Sequence, residues 1–209
     1  MSDDTLIQAL QRVLHKGIQS SRTLIEEDIR STSGSTKLTE IKNGVVVKLS
    51  PPPDSGSAAL NSWLFPQFDR ACSRVCRSCD YIVFLPRSKH TRLVVLLCEL
   101  KSGSMSGALA QLRGGLLLAE YAINAVLVHC PPKTLPEVIE YRGVIFWNKG
   151  RVQKGATGPR SGKVFARDCV TGLPYVDERA GLPHHVNSFC MERMPKERRE
   201  HQFACTRNP

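Results

Sequence analysis

Apolar residues recur along this chain at two different periods, and the switches between them mark out its elements. From Asp4 to Arg30 the spacing is helical: Leu6, Leu10, Val13, Leu14 and Ile18, then Leu24, Ile25 and Ile29, with Gly17 weakening the middle. Gly44–Leu49 reads as a strand that the prolines at 51–53 bring to an end. Leu60, Trp63, Leu64, Phe65 and Phe68 follow, with Pro66 starting or kinking a helix that runs toward Arg77. Two apolar runs, 80–86 and 93–98, then flank the polar turn Arg87-Ser88-Lys89-His90 and predict a hairpin. Helical spacing returns from about Ser106 to Ile123. Ala125–Cys130 predicts a strand stopped by Pro131-Pro132, Thr134–Tyr141 a short helix capped by Thr134, and Gly143–Trp147 a last strand. The order is helix, three strands, helix, strand, strand, which predicts an α/β fold with a mixed central sheet flanked by helices.

After Trp147 the pattern changes. Gly, Pro, Lys and Arg become frequent and no period is sustained, so residues 1–148 read as one α/β domain, with its core from about 44 to 148. Residues 149–209 read as an irregular, basic C-terminal extension. From Asn148 onward 12 Lys and Arg face 6 Asp and Glu, so this part holds +6 of the chain's net +10.

The hairpin carries the candidate chemistry. Antiparallel partners are equidistant from the turn, so paired positions should sum to about 179, which sets Asp80 opposite Glu99. Side chains alternate along a strand, so Glu99 and Lys101 share one face. Two carboxylates and an ammonium then meet at one end of an otherwise apolar hairpin. Such charges are costly to bury unless something coordinates them. A solvated Glu-x-Lys triplet at the mouth of a buried strand is the plain alternative.

This arrangement resembles the PD-(D/E)xK nuclease superfamily, with its restriction-endonuclease-like core. Asp80 matches the family's aspartate and Glu99-Leu100-Lys101 its (D/E)-x-K, although Cys79 stands where the family name has proline. Many members carry a glutamine on the following helix, and Gln111 occupies that place. Glu26 or Glu27 matches a glutamate that the first helix often supplies. The resemblance spans roughly residues 60 to 148. It implies that Asp80, Glu99 and the Leu100 carbonyl hold Mg²⁺ (or Mn²⁺) through hard oxygen ligands. Lys101 would orient the nucleophile or stabilise charge on the phosphate, and Gln111 would position that water or the Lys101 ammonium. The expected activity is hydrolysis of nucleic-acid phosphodiesters, with DNA favoured over RNA. The alternative is a non-catalytic nucleic-acid-binding or scaffolding subunit that keeps the fold. Arg113, on a different helix face, is expected to meet phosphate or solvent.

Charge agrees with such a partner, because a net +10 favours polyanions through phosphate contacts and counterion release. The size is compatible with a homodimer or a subunit of a larger complex. The start lacks a basic, apolar leader and no apolar run reaches spanning length, so a soluble, cytoplasmic protein with no membrane partner is expected. In that compartment the 8 cysteines are expected as reduced thiols. Cys72-x3-Cys76-x2-Cys79 has iron–sulfur spacing, and His184, His185 and Cys190, or His201 and Cys205, could hold zinc. Inert thiols and surface histidines are the preferred reading of both: the first motif has Ser78 where an aromatic is usual and precedes the hairpin on an expected helix, and the second group lacks a paired Cys-x2-Cys spacing. Gly114-Gly115 is unfavourable inside a helix and is read as permitting close packing of that helix on the sheet.

Overall fold

The computed structural model describes residues 5–20, 24–25, 36–39, 41, 43–49, 77–88, 91–101, 104–147, 165–179, 184–185 and 187–190. Helix α1 (Leu6–Val13) opens with a reciprocal cap: the Thr5 hydroxyl accepts from the Gln8 amide, and the Thr5 amide donates 2.9 Å to Gln8 Oε1. Its buried face is Leu6, Ile7, Ala9 and Leu10. The helix expected over 4–30 therefore ends at 13. Gln19 turns back and its Nε2 donates to the carbonyls of Gln11 and Leu14, at 2.8 and 2.7 Å, which closes the helix end. Residues 16–18 form a single 3₁₀ turn, and β1 (Gln19–Ser20) then pairs antiparallel with β4 (Val45–Lys48). Strands β2 (Leu24–Ile25) and β3 (Thr36–Thr39) form a separate three-stranded sheet with β10 (His184–His185).

The main sheet has seven strands in the order β1-β4-β5-β6-β7-β9-β8. Its centre is the expected hairpin, β5 (Tyr81–Arg87) and β6 (Arg92–Lys101), registered from Tyr81↔Cys98 to Arg87↔Arg92. Every pair obeys the anticipated sum. Beyond β6 the sheet turns parallel: β7 (Val138–Trp147) runs alongside β6, and β9 (Pro174–Arg179) alongside β7. The two-residue β8 (Ala166–Arg167) closes that edge antiparallel to β9.

Three expectations differ from this. Ala125–Cys130 is not a strand but the end of helix α2 (Ala108–His129). A parallel connection must return the chain from the end of β6 to the start of β7. Ten strand residues span about 33 Å, and 22 helical residues span the same about 33 Å. Stopping at Ile123 would leave the crossover short. Thr134–Tyr141 is likewise not a helix: Thr134 makes an isolated bridge to Thr5, and β7 starts at Val138. Glu140 and Arg142 lie on one side of that strand and pair with each other at 2.7 Å. Finally, the extension is not irregular throughout, since β8 and β9 come from it and join the main sheet.

One face of the sheet packs Val45, Val47, Ile82, Phe84, Val95 and Leu97 against α1 and against Leu112, Ala119, Ile123 and Val126 of α2. The opposite face packs Val46, Val83, Leu96, Val144 and Phe146 against Phe189 of α3 (Asn187–Cys190). The Phe146 and Phe189 rings meet edge to face with centroids 6.1 Å apart. Among the described residues, no helix is long and apolar enough to cross a membrane.

Candidate functional site

The end of β6 nearest the start of α2 gathers four polar side chains on the helix-covered face. Asp80 is held from both sides. Its carbonyl accepts from the Leu49 amide (2.7 Å), which extends the β4 ladder, and its Oδ2 accepts from the Leu100 amide (2.7 Å) across the hairpin. Glu99, at only 1% exposure, sits beside it on the adjacent strand. Lys101 Nζ lies 2.9 Å from Glu99 Oε1 and also donates to Gln111 Oε1 in the first turn of α2. Asp80, Glu99, Lys101 and Gln111, chosen from sequence, are thus brought into one cluster. Leu100 contributes its amide to Asp80, while its side chain packs on the opposite face of the sheet.

Electrostatics make Glu99 the unusual member. Burial first, and the Asp80 carboxyl second, push the Glu99 carboxyl up to about 8, against the opposing pull of Lys101. Its Oε2 is buried with no hydrogen-bond donor. The Asp80 carboxyl is near enough to share a proton with Glu99, but two ionised carboxylates have no hydrogen to place between them. The neighbouring thiols take no part in charge balance, since burial pushes both Cys79 and Cys98 up and keeps them neutral.

Helix α2 positions this cluster through a pair of glycines. A Cβ on Gly114 would fall 1.7 Å from the Arg77 carbonyl oxygen, and one on Gly115 would fall 2.3 Å from Cys79 Sγ. The segment Arg77–Cys79, which leads into Asp80, therefore lies directly against the helix backbone. That contact sets the spacing between Asp80 and the helix that carries Gln111. It also accounts for two glycines in a helix interior, where each costs about 1 kcal/mol relative to alanine.

Arg113 meets neither phosphate nor solvent alone. Its Nε and Nη2 donate to both carboxylate oxygens of the buried Asp168, at 3.0 and 2.5 Å. Asp168 also accepts from the amide and hydroxyl of Thr171, and these partners hold its carboxyl well below the usual range. Arg113 is thus a clamp that fastens the β8–β9 turn to α2. Only the turn-like Asp168-Cys-Val-Thr-Gly172 spacing marked this in sequence.

Among the described residues, no group of three or more His, Cys, Asp or Glu has a metal-holding arrangement. Cys79 is buried with its thiol donating to the Tyr81 carbonyl at 3.2 Å, and Cys190 accepts from Arg87 Nη2 at 3.4 Å. Cys72, Cys76, Glu26, Glu27, His201, Cys205 and the basic stretch 148–164 lie outside the described residues. No protein-family model, curated protein or solved structure matches the chain.

Proposed function

We propose that this chain is a metal-dependent nuclease that hydrolyses nucleic-acid phosphodiesters, DNA in preference to RNA, on a restriction-endonuclease-like core. The observation that carries the reading is Glu99 Oε2, a carboxylate oxygen buried without a donor and set beside a second carboxyl. Folding a sheet around such a pair is unfavourable unless a proton or a cation lies between them. Hard oxygen donors of this kind fit Mg²⁺ or Mn²⁺, with Asp80, Glu99 and the Leu100 carbonyl as protein ligands and water filling the rest. The ion would supply Lewis-acid polarisation of the phosphate and a more acidic water.

The chain's own residues do the remainder. Asp80, fixed by Leu49 and Leu100, presents a carboxylate whose position does not depend on its ligand. Glu99 would be a ligand of the ion in its ionised form, the proton that its burial favours having left. Lys101, held between Glu99 and Gln111, offers an ammonium to charge developing on the phosphate. Gln111 fixes the direction of that ammonium from the helix. The site stands at the carboxyl end of β6, between its antiparallel neighbour β5 and the start of α2.

The test is cleavage of single- and double-stranded DNA and of RNA with Mg²⁺ or Mn²⁺, comparing wild type with Glu99→Ala and Lys101→Ala. Cleavage should fall below detection in both variants and in EDTA, while Lys101→Ala keeps nearly all of its nucleic-acid binding. Salt-sensitive binding with no cleavage by the wild type would replace this reading with that of a non-catalytic subunit.

A further inference from the structure

The charges of the cluster leave a deficit. With no metal ion bound, a phosphodiester brought to Asp80 and Glu99 meets two carboxyls, and the one ammonium beside them, that of Lys101, is shared with Glu99 and Gln111. A second cation is needed to hold the backbone, and the structure offers one that no sequence motif marks. The Arg77 carbonyl lies against Gly114, while its Nη1 would be 3.1 Å from a Cβ on Gly107, the residue that caps α2. Those two glycines are seven positions apart, about 10 Å along a helix. The Arg77 side chain therefore runs along α2 toward the mouth of the cluster. Gln111 lies on that same helix stripe, four residues after Gly107 and three before Gly114. The guanidinium ends within one turn of the residue that binds Lys101.

Nothing among the described residues neutralises it there. Arg77 is exposed, forms no ion pair with a described acid, and α2 has no acidic residue in its first turn. The start of α2, beside which it lies, adds partial positive charge of its own. A cation parked beside other positive charge, with its backbone wedged in place, is suited to an anion that arrives from outside.

We propose that Arg77 is a substrate-binding residue of this site, gripping a phosphate of the nucleic-acid strand whose neighbouring phosphodiester reaches Asp80, Glu99 and Lys101. This rests on the nuclease reading for what happens to the strand, but not for its binding. The experiment is fluorescence anisotropy of labelled single-stranded and duplex DNA oligonucleotides with the full chain in EDTA, across a salt series. Wild type, Arg77→Ala and Arg77→Lys are compared, with cleavage in Mg²⁺ run in parallel. Alanine keeps the backbone carbonyl that touches Gly114, so melting temperatures should match.

Arg77→Ala should bind about 5- to 10-fold more weakly at low salt, with the slope of log affinity against log salt reduced by about 0.7–0.9. Arg77→Lys should restore the slope. In cleavage the alanine variant should raise KM more than it lowers kcat. Equal affinity and slope for wild type and Arg77→Ala would overturn the proposal while leaving the nuclease reading untouched. Failure of the wild type to bind either oligonucleotide would overturn it as well. A slope lost in Arg77→Ala by a wild type that binds without cutting would uphold Arg77 and remove the nuclease reading instead.

Discussion

At Glu99 the folded chain holds a proton that the unfolded chain releases, because the carboxyl moves from an ordinary value of about 4.3 up to about 8 on folding. The sign follows directly. Below pH 4 the group is protonated in both states and costs nothing. Between about 4 and 8 the unfolded state alone gives up the proton, so stability declines as pH rises; above 8 the cost is constant. Glu99→Gln removes the titration while keeping the shape. In EDTA its melting temperature should exceed that of wild type at pH 8, with the gap closing by pH 5. A difference that stays flat over that range would show that Glu99 is not the titrating group.

Among the elements, α2 and the hairpin contribute to the site in different ways. The hairpin supplies Asp80, Glu99 and Lys101 by register alone, and α2 supplies Gln111 by lying close to Arg77–Cys79. Gly114→Ala separates helix propensity from this contact. Propensity favours alanine by about 1 kcal/mol, whereas overpacking typically costs about 1–3 kcal/mol. The added carbon would meet a backbone oxygen at 1.7 Å, which cannot swing aside, so packing should win. Thermal unfolding should show a net loss of stability, and an unchanged or raised melting temperature would contradict the close contact.

The same two elements show where a sequence can be read. The hairpin register was legible because it depends on a turn and an alternating pattern a few residues away. Gln111 was legible once a helix followed the strand. The length of α2 was not, since Ala125–Cys130 is as apolar as a strand and only the span of the crossover keeps it helical. The helix expected over Thr134–Tyr141 was not legible as a strand for a similar reason. Arg92, 2.5 Å from Glu140, belongs to a strand 48 residues away in sequence, and no local pattern announces that pairing.

At the level of the molecule, the main sheet ends on two-residue strands, β1 and β8, and short edges of this kind resist pairing with other chains. Its interior depends on residues beyond 148. Val144, Ile145 and Phe146 of β7 are at most 1% exposed, and β9 covers that side of the strand. A chain cut after Trp147, where the composition changes, would present the apolar half of β7, Gly143–Trp147, as a bare edge. Such a fragment should precipitate or elute as large aggregates in size-exclusion chromatography, whereas the full chain should not. A well-behaved fragment would mean that β9 is dispensable.

The Arg113–Asp168 clamp also has a consequence in time. The two residues are 55 positions apart, and synthesis at ~5–20 residues per second separates their emergence by about 3 to 11 s. Throughout that interval every side chain of the candidate site has already been made, on a sheet whose parallel edge is still open. The nascent chain passes through a stage at which its chemistry is present and its protection is not. A chaperone that shields β7 between its synthesis and that of β9 would serve this protein better than one that acts after release.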